Sequence, residues 1–273
     1  MDIEIDLTKS VDENAGTYFN LAKKAKKKLA GAKEAVDTSK KKLEKLQKEE
    51  DKFMERETKK LEKKERKKEW YEKFHWFISS EDFLCIGGKD ATSNEIVIKK
   101  HTDKDDLVFH TDMAGSPFFV IKNGQEATEI TIEETAQAVG VYSKAWKLGH
   151  TTADVFYVKP EQVSKEAQSG EYMSKGSFMV RGKTTYLHPR LEYAIGLLNT
   201  QQPGTSDTPY DNEEIIGGPV TAIKKRTNKF VKVIPGKMKK SSLAKKIRSK
   251  LKGGELDDII KFLPAGGAEI KKS

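Results

Sequence analysis

The chain has 273 residues, 51 Lys or Arg against 42 Asp or Glu, and a formal net charge of +9. Its single cysteine, Cys85, excludes a disulfide within the chain and sits in an apolar run, FLCIG, that suits a small buried hydrophobe. No secretory leader and no apolar run of about 18 residues occurs, so a soluble cytoplasmic protein is expected, with no membrane partner.

The charge is segregated. Residues 1–69 carry a net +5, residues 70–219 a net −8, and residues 220–252 hold 13 basic residues and no acid. Blocks of one sign create fields that reach beyond single contacts. An acid-free stretch of this kind points to a polyanionic partner. Nucleic acid is the default, because phosphate neutralisation releases counterions. An acidic membrane surface and an unpartnered solvated tail are the alternatives.

The first expected element is a helical arm over residues 1–70. Ser10 and Glu13 have capping-box spacing. Ala15, Tyr18, Ala22, Ala25, Leu29, Ala32, Val36, Ser39, Leu43 and Leu46 then alternate spacings of three and four, the seven-residue repeat of a coiled coil. Glu50 breaks the seam. Gln47–Asp51 is therefore read as a hairpin turn with an antiparallel return limb, and one continuous helix that self-associates is the alternative. The lysine clusters at 26–28, 40–42 and 67–68 are mostly a solvated helix face that also suits contact with RNA.

Residues 71–235 are expected to form an α+β domain with a mixed sheet, followed by a basic helical extension over 236–273. Short β-branched and aromatic runs read as strands at 75–78, 83–86, 95–98, 107–110, 118–121, 154–158, 178–181 and 192–195. A capping box at Thr131 and Glu134 opens a largely buried helix reaching Trp146. Residues 199–213 read as a loop rich in Pro, Gly and Ser. Residues 220–223 and 230–234 read as a hairpin around Lys224, Lys225 and Arg226. Short helices follow at 241–251 and 255–262, split by Gly253 and Gly254.

Catalytic chemistry has little behind it. No CxxC or HExxH spacing occurs, so neither metal nor cofactor is expected. His110 and Asp112, two apart on a strand, are the best acid–base pair, yet a hydrogen-bonded core histidine is the commoner fate of such a residue. The Ser-Lys pairs at 143–144, 164–165 and 174–175 have poor geometry for a nucleophile, because neighbours on a strand point opposite ways. No catalytic residue and no enzyme activity is expected.

RNA-binding chemistry fits better. Lys165, Lys175, Arg181 and Lys183 lie among Gly170, Gly176 and Gly182, and glycines let backbone amides approach phosphates. Tyr172, Phe178 and Tyr186 are candidates for base stacking. Lys224, Lys225, Arg226, Lys229 and Lys232 form an expected basic ribbon, continued by Lys239 and Lys240.

Several spaced motifs carry a resemblance. They are Trp70–Phe77 (WYEKFHWF), Gly88-Lys89-Asp90-Ala91 with Asn94-Glu95, Asp106 through Pro117, Tyr142–Trp146 (YSKAW), and Ser164-Lys165 through Phe178. In this order they resemble the NFACT-R RNA-binding domain of the NEMF/RqcH ribosome-quality-control family, and residues 5–15 look like the start of that family's middle coiled coil. Lys89 stands where the family motif has arginine, which removes bidentate geometry. The resemblance adds Lys89, Asp90 and Asn94 to the RNA-binding candidates. It implies binding to large ribosomal subunits stalled with tRNA, contact with tRNA and rRNA, and support for untemplated tailing of the nascent peptide, the ribosome itself performing the chemistry. Full-length members carry an N-terminal domain and a helix-hairpin-helix region ahead of the coiled coil, where this sequence begins. RNA or subunit binding is therefore expected of it, rather than autonomous tailing.

Overall fold

The computed structural model describes residues 3–62, 69–165, 175–200 and 212–271. It divides into two compact units, Met1–Lys68 and Glu69–Ser273.

The first unit is built on one helix, α1 (Val11–Glu62), of 52 residues. The capping box forms as its spacing requires. Ser10 N–H donates to Glu13 Oε2 at 2.8 Å, and Glu13 N–H donates back to Ser10 Oγ at 3.3 Å. The hairpin turn expected at Gln47–Asp51 is absent, and these residues are helical. The segment QKEED contains neither glycine nor proline, and loss of an apolar seam residue does not interrupt the i→i−4 hydrogen bonds that propagate a helix. The seam residues are exposed, the large apolar ones from 41% at Tyr18 to 62% at Leu46. Lys67 and Lys68 lie outside the described residues.

Among its described residues the second unit holds two larger antiparallel sheets and one two-stranded ribbon. Strands β1 (His75–Ile78), β2 (Leu84–Gly87), β3 (Leu107–Thr111), β4 (Phe119–Ile121) and β5 (Val155–Val158) form the first sheet, to which β8 (Thr185–Leu187) adds an edge. Its order is β1-β2-β4-β3-β5-β8. A two-stranded ribbon, β6 (Val163–Ser164) with β7 (Met179–Val180), lies apart from it. The second sheet comprises β9 (Tyr193–Thr200), β10 (Asn212–Gly218), β11 (Phe230–Met238) and β12 (Ala268–Ile270), in the order β10-β9-β11-β12. The α+β class holds. The sheets were expected to be mixed, but every ladder among the described residues is antiparallel.

Helix α2 (Ala91–Lys100) replaces the strand expected at 95–98. Asp90 caps it, its carboxylate accepting from Ser93 N–H at 2.8 Å. The β-branched Ile96, Val97 and Ile98 suggest a strand locally, yet they pack into a cluster with Ile86, Val108, Val120 and Phe156. Tertiary burial overrides propensity there. Helix α3 (Glu129–Tyr142) starts a turn before the expected cap, with Thr128 as its N-cap. Ser143 ends α3 and caps α4 (Lys144–Leu148), so the helix expected to reach Trp146 is two helices.

The expected basic hairpin is also absent. Residues 220–226 form α5 (Val220–Arg226), whose Ile223 joins Ala194 and Ile216 in a small cluster on one face of the second sheet. Helices α6 (Lys240–Leu251) and α7 (Leu256–Phe262) cover the opposite face. Leu243, Ala244, Ile247, Leu251 and Ile259 join Ile195, Leu197, Val231 and Val233 in the main core, which continues to Phe109, Phe119 and Val139 of the first sheet and α3. Strand β11 runs across residue 235, so residues 236–271 belong to this unit rather than trailing from it. No helix among the described residues is long and apolar enough to cross a membrane.

A buried charge ties the β3 entrance to the turn after β4. Asp106 is fully buried and accepts from Asp103 N–H at 2.7 Å, Asn123 N–H at 2.8 Å and Lys122 Nζ at 2.6 Å. Removing one member of such a set strands the rest, at about 3 kcal/mol. We expect Asp106→Asn to lower stability in urea denaturation by about that amount. A change within about 0.5 kcal/mol, the range of an ordinary surface substitution, would contradict the assignment.

Candidate nucleic-acid interface

The interface begins with α6. Its apolar positions 243, 244, 247 and 251 face the core, which leaves Lys245, Lys246, Arg248, Lys250 and Lys252 exposed on the outer side. Burying Leu243 or Ile247 contributes roughly 2 kcal/mol each. Two solvated unit charges roughly 8 Å apart in water repel by only about 0.5 kcal/mol. Apolar burial therefore decides the helix's orientation, and the cations follow outward. Lys245, Arg248, Ser249 and Lys252 line a shallow groove against Leu256 of α7.

The second sheet separates the basic residues. On β11 the buried Val231 and Val233 face α6, so alternation sends exposed Lys232 to the face that carries α5. Lys224, at the end of α5, and Lys229 are exposed, and so is Lys239 at the N-cap of α6. Lys225 and Arg226 are engaged. The Lys225 ammonium donates to Ser80 O and pairs with Asp82, while Arg226 donates to Ser79 O at 3.0 Å and to Asp82 at 2.8 Å. The Arg226 hydrogen bond, and then Lys225, hold the Asp82 carboxyl below its usual range. These two cations fasten α5 to the turn after β1.

The motif around residue 88 is also structural in large part. Asn94 is buried, and its Oδ1 accepts from Phe118 N–H at 3.1 Å. A Cβ on Gly88 would lie 2.0 Å from that oxygen, so only glycine fits. Asp90 serves as the α2 cap. Lys165 pairs with Glu95, donates to Ser177 O at 3.2 Å and lies 5.0 Å from the Phe178 ring centroid. The Lys165 hydrogen bond, followed by the Gly176 N–H, pulls the Glu95 carboxyl down to about 2. Phe178 meets Phe118 edge-on at 5.3 Å, which makes it a packing residue rather than a stacking platform. Tyr186 stays exposed and donates to Asp112 at 3.0 Å. Lys175, Arg181 and Lys183 are on the surface, while Gly170 and Tyr172 fall outside the described residues.

His75 stacks on Tyr142 with ring centroids 3.7 Å apart. Burial, then Lys89 and Lys240, push the His75 imidazole down to about 3, so it is neutral. Burial and nearby Lys261 lower the Lys89 ammonium, and burial and nearby Lys147 lower that of Lys240. Lys147 and Lys261 belong to no motif or charge run in the sequence. The α6 lysines lay in the acid-free stretch, and their grouping is visible there once a helical period is assigned.

His110 and Asp112 do not form an acid–base pair. His110 Nδ1 bonds Pro117 O at 3.0 Å and its ring stacks on Phe118 at 3.9 Å, while Asp112 accepts from Tyr186. Burial lowers the His110 pKa. Among the described residues no group of three His, Cys, Asp or Glu is placed to hold a metal ion.

The two classes of cation should separate in solution. Replacing Lys224, Lys229 and Lys232 together by Gln is expected to leave the melting temperature unchanged and to weaken RNA binding, with a salt slope shallower by about 2 to 3. Replacing Arg226 by Met is expected to lower the melting temperature by several degrees, because Ile78 O, Ser79 O and Asp82 each lose one donor. Paired filter-binding and calorimetric measurements check both, and the reverse pattern would contradict the division.

Residues 73–182 match the family described as NFACT protein RNA binding domain. The archaeal Rqc2 homolog aRqcH of Methanocaldococcus jannaschii is 42% identical over 210 residues, covering 75% of this chain and 30% of that protein. The ribosome quality control complex subunit NEMF homolog of Drosophila melanogaster is 36% identical over 198 residues, covering 71% and 20%. Human ribosome quality control complex subunit NEMF is 43% identical over 122 residues, covering 44% and 11%. The chain thus spans a third or less of the length of these relatives. With the fold and the ordered motifs on residues 73–182, these matches show that the chain belongs to the NFACT (NEMF/RqcH) family of ribosome-quality-control proteins and carries its RNA-binding domain.

Proposed function

We propose that this chain is the RNA-contacting part of a cytoplasmic ribosome-quality-control factor. It binds stalled large ribosomal subunits and tRNA and so supports C-terminal tailing of the nascent peptide, with the ribosome performing the chemistry. The observation that carries this reading is the outer face of α6, where five cations stand exposed beside a shallow groove on a unit that carries the family's RNA-binding domain. Phosphate contacts of this type give affinity and position rather than base sequence, so binding is expected to tolerate sequence change. With about six phosphates contacted, log K falls against log salt with a slope near −4 to −5.

Co-sedimentation with purified large subunits, with and without a trapped tRNA, tests the reading. The chain should pellet with subunits at low salt, more completely when tRNA is present, and be released as salt rises. Equal recovery at all salt concentrations, or none at any, would contradict it.

A protein-scaffold reading is favoured by one observation, the exposed heptad seam of α1. A seam of this kind is buried when two helices pair. Light scattering at micromolar concentration is expected to show a dimer if the seam is used for self-association. A monomer would remove that partner.

A further inference from the structure

Of the three tryptophans, Trp146 is buried, Trp76 is half-buried and Trp70 is 44% exposed. An indole left so open keeps much of its flat apolar surface out of the core. Trp70 begins a 3-10 turn, Trp70–Lys73, ahead of β1. Its ring lies on the imidazole of His101, with centroids 4.5 Å apart and planes inclined by 19°. Tyr71 meets it edge-on at 5.7 Å. His101 is itself fixed in place. It is the C-cap of α2, and its N–H donates to Val97 O at 3.1 Å. Phe74 meets its ring edge-on at 5.4 Å, and Lys122 Nζ donates to its carbonyl at 3.0 Å. One face of the indole is therefore held against an anchored ring, and its exposed area belongs to the opposite face and the edges.

Cations frame this pair. Lys99 and Lys100 end α2 immediately before His101. Lys73 Nζ lies 5.0 Å from the centroid of Phe74, the ring that abuts His101. Lys99 is 3.7 Å from Glu95, whereas Lys73 and Lys100 are exposed and, among the described residues, paired with no carboxylate. The nearby acids are engaged: Glu72 accepts from Glu69 N–H at 3.0 Å, and Asp103 pairs with Lys122 at 2.7 Å. Burial, followed by Lys73, Lys122 and Lys100, lowers the His101 imidazole, so a neutral ring underlies the indole. A flat aromatic face beside uncommitted cations suits a nucleotide strand, because every base has a π-face to stack and the lysines meet its backbone. Within a duplex the faces of a base are covered by its neighbours, so the base that lies on the indole is an unpaired one.

We propose that Trp70, backed by His101, is a stacking platform for one unpaired RNA base, with Lys73 and Lys100 contacting the adjoining phosphates. The proposal rests on the RNA-binding reading and deepens it: the outward cations supply affinity for any strand, and Trp70 selects single-stranded over paired RNA.

Tryptophan fluorescence of the full chain, titrated with single-stranded and with fully paired RNA of equal length, tests this. Single-stranded RNA should quench the emission and shield it from acrylamide, and saturating duplex should do neither. Trp70→Leu should weaken single-strand binding about tenfold and leave the salt slope unchanged, because stacking releases no counterions. Trp70→Phe should lose the fluorescence response, which assigns that signal to Trp70, yet keep most of the affinity, since a ring remains. Replacing Lys73 and Lys100 together by Gln should retain the quenching and make the slope shallower by about 1 to 2. Where Trp70→Leu fails to fold, acrylamide access in wild type decides: an indole already shielded in the free chain, or one that bound single-stranded RNA leaves accessible, overturns the platform. Equal quenching by duplex overturns it too. If wild type and Trp70→Leu bind RNA alike with no change in emission, the platform is wrong and the broader reading stands. If wild type binds neither RNA at low salt, the RNA reading itself fails and the platform with it.

Discussion

The second unit depends on how its carboxylates are held. Asp106 is buried against Lys122 and two backbone amides. Buried Glu134 accepts from Ser80 N–H at 2.8 Å and Thr221 Oγ1 at 2.6 Å, linking β1, α3 and α5. Asp82 holds the end of α5, and Glu95 holds the segment around Gly176 against α2. A carboxylate taken from water needs such partners, and in supplying them the chain fixes the geometry between its elements. The net −8 of residues 70–219 is thereby directed in part toward the protein's own amides, hydroxyls and cations. Among the described residues no carboxylate is paired with Lys245, Lys246, Arg248 or Lys250, and all four are exposed.

The same principle divides the cations by role. Lys122, Lys165, Lys225 and Arg226 are internal fasteners. Lys245, Lys246, Arg248, Lys250 and Lys252 are on the surface because the other side of their helix is apolar. Glycines play a matching part. Gly88 admits Asn94, and Gly87 admits the Phe119 ring, which a Cβ would approach to 2.2 Å. The motif that distinguishes this segment thus shapes the framework from which Lys89 extends.

Much of this was legible in the sequence, for definite reasons. Strands β1, β2, β3, β4 and β5 are short apolar runs bounded by turn residues, and helices α6 and α7 are separated by Gly253 and Gly254 as expected. The Ser10–Glu13 cap is local chemistry and formed as its spacing required. Misreadings arose where distant packing decided the outcome. Ile96, Val97 and Ile98 have the composition of a strand, but Asp90 caps a helix before them and a hydrophobic face receives it. Val220–Ile223 also has strand composition, and it becomes helix because Ile223 fills a gap over Ala194 and Ile216. Strands β10 and β12 carry few local signals, since Glu213, Glu214, Gly217 and Gly218 read as loop and Ala268–Ile270 is three residues long.

The central claim is that cations turned outward by the fold, rather than those committed to its carboxylates, contact RNA. Amine-reactivity footprinting of the full chain, with and without single-stranded RNA, tests it residue by residue. The account predicts that Lys224, Lys229, Lys245, Lys246, Lys250 and Lys252 react readily in the free chain and are protected by RNA, while Lys122 reacts slowly in both states. Protection confined to residues 1–68, or no change on α6 at RNA concentrations that saturate binding, would contradict it.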